Sequence, residues 1–224
     1  MEIRRVLVTF ALKTILDALC KIECSEYVKM LSKNKPMIIA FNHTNFLEVP
    51  ILVSHSYPKY VTGIAKIETW NNTIFSFLFN TYHAIPIARG GVFHGLFKKV
   101  IELTDKGYFV CIAPEGTRSK SGILRSGKSG IIQLAYETGL PVMPVAHYGG
   151  ENIWKNMKRF RRTPFCIKAG QPFMINFNGR PEKGVRDEML GEVMGQLARL
   201  LPEDKRGCYA EQAKTETKHL EFLV

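Results

Sequence analysis

After residue 36 the chain switches repeatedly between two hydrophobic periods, and that switching constrains its fold more than any other feature. Short β-rich runs occupy residues 37–41, 60–65, 84–88, 108–113, 142–147 and 165–169. Helix-compatible stretches separate most of them, at 46–55, 69–79, 92–104 and 128–137. A longer one at 187–201 carries Met189, Leu190, Val193, Met194, Leu197 and Leu200 at helical spacing. Alternation of this kind predicts an α/β domain with a mostly parallel central sheet flanked by helices. The runs MIIAF and FVCIA are apolar at every position, as strands are when helices cover both faces of the sheet. The polar stretch 118–128 reads as a long loop between a strand and a helix.

The first 35 residues follow another pattern. Ile3, Val6, Leu7, Phe10, Leu12, Ile15, Leu16 and Leu19 recur at spacings of three and four and predict an amphipathic helix. Lys13, Asp17 and Lys21 fall four apart on another face. Two roles stay open for such a helix: packing on its own domain, and lying in a lipid interface with its basic residues near the headgroups. A broad apolar surface serves both. The start is not read as a secretory signal, because Lys13 and Asp17 interrupt the apolar run and no small-residue cleavage site follows. The longest stretch without formal charge, residues 69–88, holds three Asn, three Thr, a His and a Pro, too polar a composition for a membrane span. No linker rich in Gly, Ser or Pro divides the chain. The reading is one domain at 36–224 preceded by a helical arm at 1–35 suited to a membrane interface.

Thirty-one Lys plus Arg against twenty Asp plus Glu give a formal charge of +11, which attracts polyanions: nucleic acid, anionic lipid or phosphorylated ligands. Hydrophobic residues at 46% argue against a disordered chain. Cysteines at 20, 24, 111, 166 and 208 are odd in number and form no C-x-x-C pair. A disulfide framework and a zinc ribbon are therefore not expected, and a reducing compartment is.

In open α/β sheets, ligands gather beyond the carboxyl ends of the strands. MIIAF is followed by Asn42-His43-Thr44-Asn45-Phe46-Leu47-Glu48, AIPIA by Arg89-Gly90-Gly91, and FVCIA by Pro114-Glu115-Gly116-Thr117-Arg118-Ser119. Three strand ends thus present a histidine, an arginine, and a glutamate with an arginine. Residues five apart on an unbroken helix differ by roughly 140° in direction. His43 and Glu48 meet only if the histidine stands in the turn before a helix and the glutamate in its first turn, for which Asn42, Thr44 and Asn45 are suitable turn or capping residues. A carboxylate on one ring nitrogen fixes the tautomer and leaves the other nitrogen as a base. A histidine near a helix start beside an unrelated surface glutamate is the bland alternative, and spacing alone leaves both open.

The strings FNHTNFLE, IPIARGG, APEGTRS and VMPV occur in that order, and together they resemble the glycerolipid acyltransferases of the 1-acylglycerol-3-phosphate acyltransferase type. That family carries N-H-x-x-x-x-D, I-P-x-x-R, F-P-E-G-T-R-S and V-P-V blocks. The resemblance runs from about residue 35 to residue 171, and LLPEDKRGCYAE resembles the tail of some bacterial members. Two positions depart from the pattern: Glu48 stands where the family has Asp, and Ala113 where it has Phe. The resemblance implies direct acyl transfer from acyl-CoA or acyl carrier protein to the hydroxyl of a lysophospholipid, most simply 1-acylglycerol-3-phosphate, giving phosphatidate. It makes His43 the general base, with Glu48 orienting it. Arg89, Thr117 and Arg118 would grip the acceptor phosphate, with Glu115 and Gly116 completing that loop, the glutamate either holding it or contacting a glycerol hydroxyl, and Lys66 either contacting phosphate or the site wall or standing solvated. It implies no metal and no cofactor beyond the acyl donor. Another lipid acceptor, or a catalytically weak protein that binds membranes, are the alternatives that Glu48 keeps open.

A serine elbow is missing, since Gly127-Lys128-Ser129-Gly130 only superficially matches G-x-S-x-G and follows a polar loop instead of a strand. Cys111 reads as core, and His55, His83, His94, His147 and His219 as structural or surface residues without a paired acid at telling spacing. The run from Trp154 to Arg162 mixes rings and cations; it suits anionic headgroups and single-stranded nucleic acid alike. Trp70 with Phe75, Phe77 and Phe79 forms a second aromatic cluster, facing core or lipid. With no nucleic-acid motif in the chain, the expected partner is an anionic membrane surface and not nucleic acid. The expected location is peripheral or monotopic on the cytoplasmic face of a membrane.

Overall fold

The computed structural model describes residues 2–88 and 95–223. The chain opens with α1 (Glu2–Leu19), β1 (Cys20–Glu23) and α2 (Ser25–Lys33), then runs β2 (Ile38–Phe41), α3 (Glu48–His55), β3 (Tyr60–Lys66), α4 (Thr73–Thr81) and β4 (Ile85–Ile87). There follow α5 (Leu96–Asp105), β5 (Tyr108–Ile112), α6 (Gly130–Thr138), β6 (Val142–Tyr148), α7 (Ile153–Met157), β7 (Thr163–Ala169), β8 (Phe173–Ile175), α8 (Lys183–Leu200) and β9 (Leu220–Phe222). Helix ends carry local reasons. Asn72 caps α4 by accepting from the amides of Ile74 and Phe75 at 3.0 and 3.1 Å. Gly139, at φ +63°, closes α6 in the left-handed conformation.

The described strands form one sheet in the order β1-β7-β6-β2-β5-β3-β4, with β8 pairing β6 and β9 pairing β8. β2 is parallel to both its neighbours, Ile38 standing opposite Val110 on one side and Val142 on the other. β3 and β4 continue the parallel run. β7 is antiparallel to β6, and β1 is parallel to β7. The continuous apolar runs behave as their pattern predicts. Ile38 and Ala40 join Val110, Val142 and Ala146 under α5, α6 and α8. Ile39 and Phe41 join Phe109, Cys111, Met143 and Val145 on the other face, under α1, α2 and α3.

The first 35 residues hold more than helix. β1 pairs with β7 from Cys20↔Thr163 to Glu23↔Cys166, so Lys21 stands on a strand and not, as its spacing predicts, on the helix with Lys13 and Asp17. Arg162 clamps that joint by donating from Nε and Nη2 to the Cys20 carbonyl at 3.1 and 2.8 Å. β1, β8 and β9 escape a periodicity reading because three or four residues are too few to show a period of two.

α1 also buries an unexpected face. Leu16 is in the core, but so are Arg5 and Thr9, while Ile3 is 77% and Leu7 65% exposed, with Phe10 and Ile15 exposed beside them. The reason lies in what the helix meets. Arg5 donates to the Tyr108 hydroxyl at 2.7 Å with its guanidinium 3.4 Å from the centre of the Tyr60 ring, and Thr9 pairs with the Tyr82 hydroxyl at 3.0 Å. Rings with hydroxyl tips accept a cation and a hydroxyl where an aliphatic face would not. No helix among the described residues is long and apolar enough to cross a membrane.

Candidate active site

Because β2, β5, β3 and β4 run parallel, the segments leaving their carboxyl ends meet along one edge of the sheet. β2 delivers Asn42 and His43, and β5 delivers the loop from Pro114 to Ser119. β3 delivers Lys66, which is exposed. β4 ends at Ile87, and Arg89 lies outside the described residues, as does His94.

His43 stands in the turn and Glu48 opens α3, the arrangement in which a five-residue separation lets them meet. The His43 Nδ1 and Glu48 Oε1 atoms are in direct hydrogen-bond contact. Glu48 is fully buried, yet its carboxylate is well satisfied. The amides of Thr44 and Asn45 each donate to Oε2 at 3.1 Å, and the Thr44 hydroxyl donates to it at 3.2 Å. Thr44 thus acts through its backbone and its hydroxyl and Asn45 through its backbone, with the glutamate folded back over its own entry loop. Burial opposes the charge on Glu48, but the pull of His147 and the hydrogen bonds from both histidines outweigh it and hold the carboxyl well below the usual carboxylate range. The His43 ring is about a quarter exposed and presents Nε2 away from the acid.

The two loops are stitched together through the site. The His43 amide donates to Glu115 Oε1 at 2.6 Å, and the Ser119 amide donates to the His43 carbonyl at 2.6 Å. Glu115 Oε2 accepts the Arg125 amide at 2.9 Å. Glu115 is therefore buried as a brace that fixes both loops; burial raises its carboxyl above the ordinary value, and the two amides offset part of that. Gly116 has φ +64°, which favours glycine, and a Cβ there would stand 3.3 Å from the end of the Lys128 side chain. Thr117 and Arg118 are exposed and make no hydrogen bond or ion pair with a described residue. The polar loop is held from behind by the chain's end: Leu124 donates to the Lys205 carbonyl at 2.8 Å, and the Gly127 amide to the Tyr209 hydroxyl at 2.9 Å.

Three participants had no telling spacing in the sequence. His147, on β6, places Nε2 2.8 Å from Glu48 Oε2. Asn42 brackets the His147 backbone, accepting its amide at 2.8 Å and donating to its carbonyl at 3.0 Å. Lys128 sets a cation beside the Gly116 turn. His147 is distant in sequence from Glu48 and Asn42, so only the sheet brings them together, whereas Lys128 returns to Gly116 within its own loop. No group of His, Cys, Asp and Glu with metal-holding geometry occurs among the described residues.

Comparison with known proteins gives concordant results. The Acyltransferase family model matches residues 21–148. Curated relatives include 1-acyl-sn-glycerol-3-phosphate acyltransferases of Limnanthes douglasii, 30% identical over 68% of this chain and 53% of that one, and Cocos nucifera, 32% identical over 67% and 48%. The enzyme of that name in Bacillus subtilis is 27% identical over 68% of this chain and 75% of its own. The chain spans about half the length of the plant relatives it matches. Among solved structures, the 1-acyl-sn-glycerophosphate acyltransferase PlsC of Thermotoga maritima superposes with a TM-score of 0.56 over 86% of this chain and 79% of that one, at 20% identity.

Proposed function

This chain belongs to the acyltransferase family, and on that premise we propose that it moves a fatty acyl group from acyl-CoA or acyl carrier protein to the free hydroxyl of a lysophospholipid. The acceptor in this reading is 1-acylglycerol-3-phosphate and the product phosphatidate. The observation that carries it is the His43–Glu48 contact, a half-open imidazole whose inner nitrogen rests on a buried, ionised carboxylate.

His43 Nε2 takes the proton of the acceptor hydroxyl as its oxygen attacks the thioester carbonyl. When the tetrahedral centre collapses, the C–S bond breaks and the same proton goes to the departing thiolate. Glu48 stabilises the imidazolium in between, and its buried setting strengthens that interaction because little water screens it. Glu48 reaches the ring despite its extra methylene, which supports this reading. Arg118 and Thr117, without a partner among the described residues, are the groups assigned to the acceptor phosphate, with Lys66, Arg89 and Lys128 adding positive charge. Glu115 and Gly116 shape that loop.

The partner in this reading is an anionic membrane surface, on which the protein sits peripherally or monotopically. The exposed stripe of α1 supports it, as do Ile74 and Phe77 on α4, where Arg4 lies 5.9 Å from the Phe77 ring and ties the two helices into one surface. At the site edge, Trp154 stacks on Phe46 at 5.3 Å beside a fully exposed Phe160 and the cations around it.

Purified protein, labelled acyl-CoA and a parallel panel of acceptors test the proposal. Phosphatidate is expected from lysophosphatidate, and Arg118→Ala is expected to raise KM for that acceptor about ten-fold while sparing acceptors that lack a phosphate, as befits one charge-assisted contact. Undiminished turnover by His43→Ala would remove the mechanism.

A further inference from the structure

Glu48 does not serve His43 alone. Its Oε1 atom contacts His43 Nδ1, while Oε2 lies 2.8 Å from His147 Nε2. The same Nε2 lies 2.6 Å from the Asn42 carbonyl oxygen. Both neighbours are acceptors, so Nε2 carries the hydrogen and donates to them. The His147 ring is buried and stacks on Phe165 with centroids 5.3 Å apart and planes 9° from parallel. Its other nitrogen, Nδ1, is buried without a partner among the described residues. An apolar ring would fill this place without leaving a polar atom stranded. What the imidazole adds is the donor at its Nε2 edge, and that donor is aimed at the acid behind the base.

We infer that His147 is a positioning residue: by holding the second oxygen of Glu48 it sets the rotamer that turns the first oxygen onto His43. The inference rests on the reading of His43 as the base. It also gives a reason for Glu where the family pattern has Asp. The longer side chain has one more torsion to fix and reaches β6; a carboxylate one methylene shorter, held by the Thr44 and Asn45 amides, stops short of the His147 ring. Burial disfavours the His147 cation, but Glu48 and the Asn42 carbonyl outweigh it and raise the group above its ordinary value, with Glu115 adding to the pull. Nε2 bears a hydrogen in both states, so the hold on Glu48 persists through neutral pH.

A double-mutant cycle in steady-state kinetics tests this. His147→Phe keeps the stack and removes the donor; it should lower kcat about ten-fold with KM unchanged within about two-fold, the loss of one hydrogen bond to a charged group. His147→Gln offers an amide N–H in place of the imidazole and should recover most of kcat. In a Glu48→Asp background, His147→Phe should cost less than about two-fold, because the shorter acid has no link left to lose. Equal loss in both backgrounds, or a His147→Gln enzyme as slow as His147→Phe, overturns the inference. If His147→Phe fails to fold, His147→Met runs the same cycle with the same deciding outcomes. His43→Ala measured alongside separates the failures: turnover surviving there sinks the base itself, whereas an inactive His43→Ala with an additive cycle sinks only the role of His147.

Discussion

α1 and α3 pack against the same face of the sheet and both bury a charge, yet they do so to opposite ends. α3 brings Glu48 inward onto two imidazoles and three donors from its entry loop, then continues with Ile51, Leu52 and Val53 in the core. α1 brings Arg5 inward onto tyrosine rings and Leu16 into the core, and turns Ile3, Leu7, Phe10 and Ile15 away from the protein. In α3 the buried charge is what the site uses, and the apolar residues hold it in place. In α1 the buried charge is the anchor, and the apolar residues are what the surface offers. A buried polar side chain therefore marks chemistry only where its partners are themselves reactive and near open space. Arg5 meets neither condition; Glu48 meets both.

The sharpest way to break this contrast is at His43. His43→Ala should reduce turnover by roughly 100-fold or more, the range of a lost general base, with the melting temperature little changed because the ring is part-exposed. Glu48→Gln should also slow turnover, and it adds a cost that His43→Ala lacks. Removing the charge from a well-donated buried carboxylate should destabilise the protein by about 2 kcal/mol, a melting shift of several degrees. Its sign with pH follows from the depressed native value. The ionised glutamate stabilises the fold fully above its ordinary value of 4.5, and that contribution disappears as pH falls through the lower native value. The gap between wild type and Glu48→Gln, read from thermal melts, should thus close on acidification below about pH 4. A gap that stays constant there would mean that the carboxylate is not the stabilising form.

At α1 the effect is smaller and purely structural. Arg5→Leu should cost about 1–2 kcal/mol, from a lost buried hydrogen bond and a lost guanidinium–ring contact, and leave kcat unchanged. A fall in kcat without a fall in melting temperature would mean that α1 reaches the site after all.

What was legible in the sequence divides along similar lines. MIIAF and FVCIA announce doubly covered strands because every position must be apolar there, and the loops after them announce a site because polar residues converge where helices do not cover the sheet edge. The His43–Glu48 pairing needed only one local turn to be foreseen. His147 was not legible as a participant: β3, β4 and β5 separate it in the chain from the acid it touches, and nothing in VMPVAHY separates a donor aimed at Glu48 from a core histidine. Glu115 shows the reverse case, a motif residue beside the phosphate-gripping candidates whose two oxygens turn out to brace backbone amides. The inward face of α1 was illegible for a related reason. Periodicity shows that a helix has two faces, whereas the choice of face belongs to Tyr60, Tyr82 and Tyr108, none of which lies near it in sequence.

The smallest effect on stability should come from the outward stripe of α1, and it is the most telling for that reason. Replacing Ile3 and Leu7 by Ser together removes apolar surface that touches little of the protein, so the melting temperature should move by no more than the equivalent of about 0.5 kcal/mol per site. Vesicle binding should fall far more. Each large apolar side chain transferred from water into lipid contributes on the order of 1.5–3 kcal/mol when fully buried, so losing two half-engaged ones should weaken sedimentation with phosphatidylglycerol vesicles by about ten-fold or more. Turnover on a short-chain, monomeric acceptor should survive, since the stripe takes no part in the reaction at His43. If vesicle binding stays intact while the melting temperature drops, the stripe packs on protein, and α1 buries its apolar side chains as α3 does.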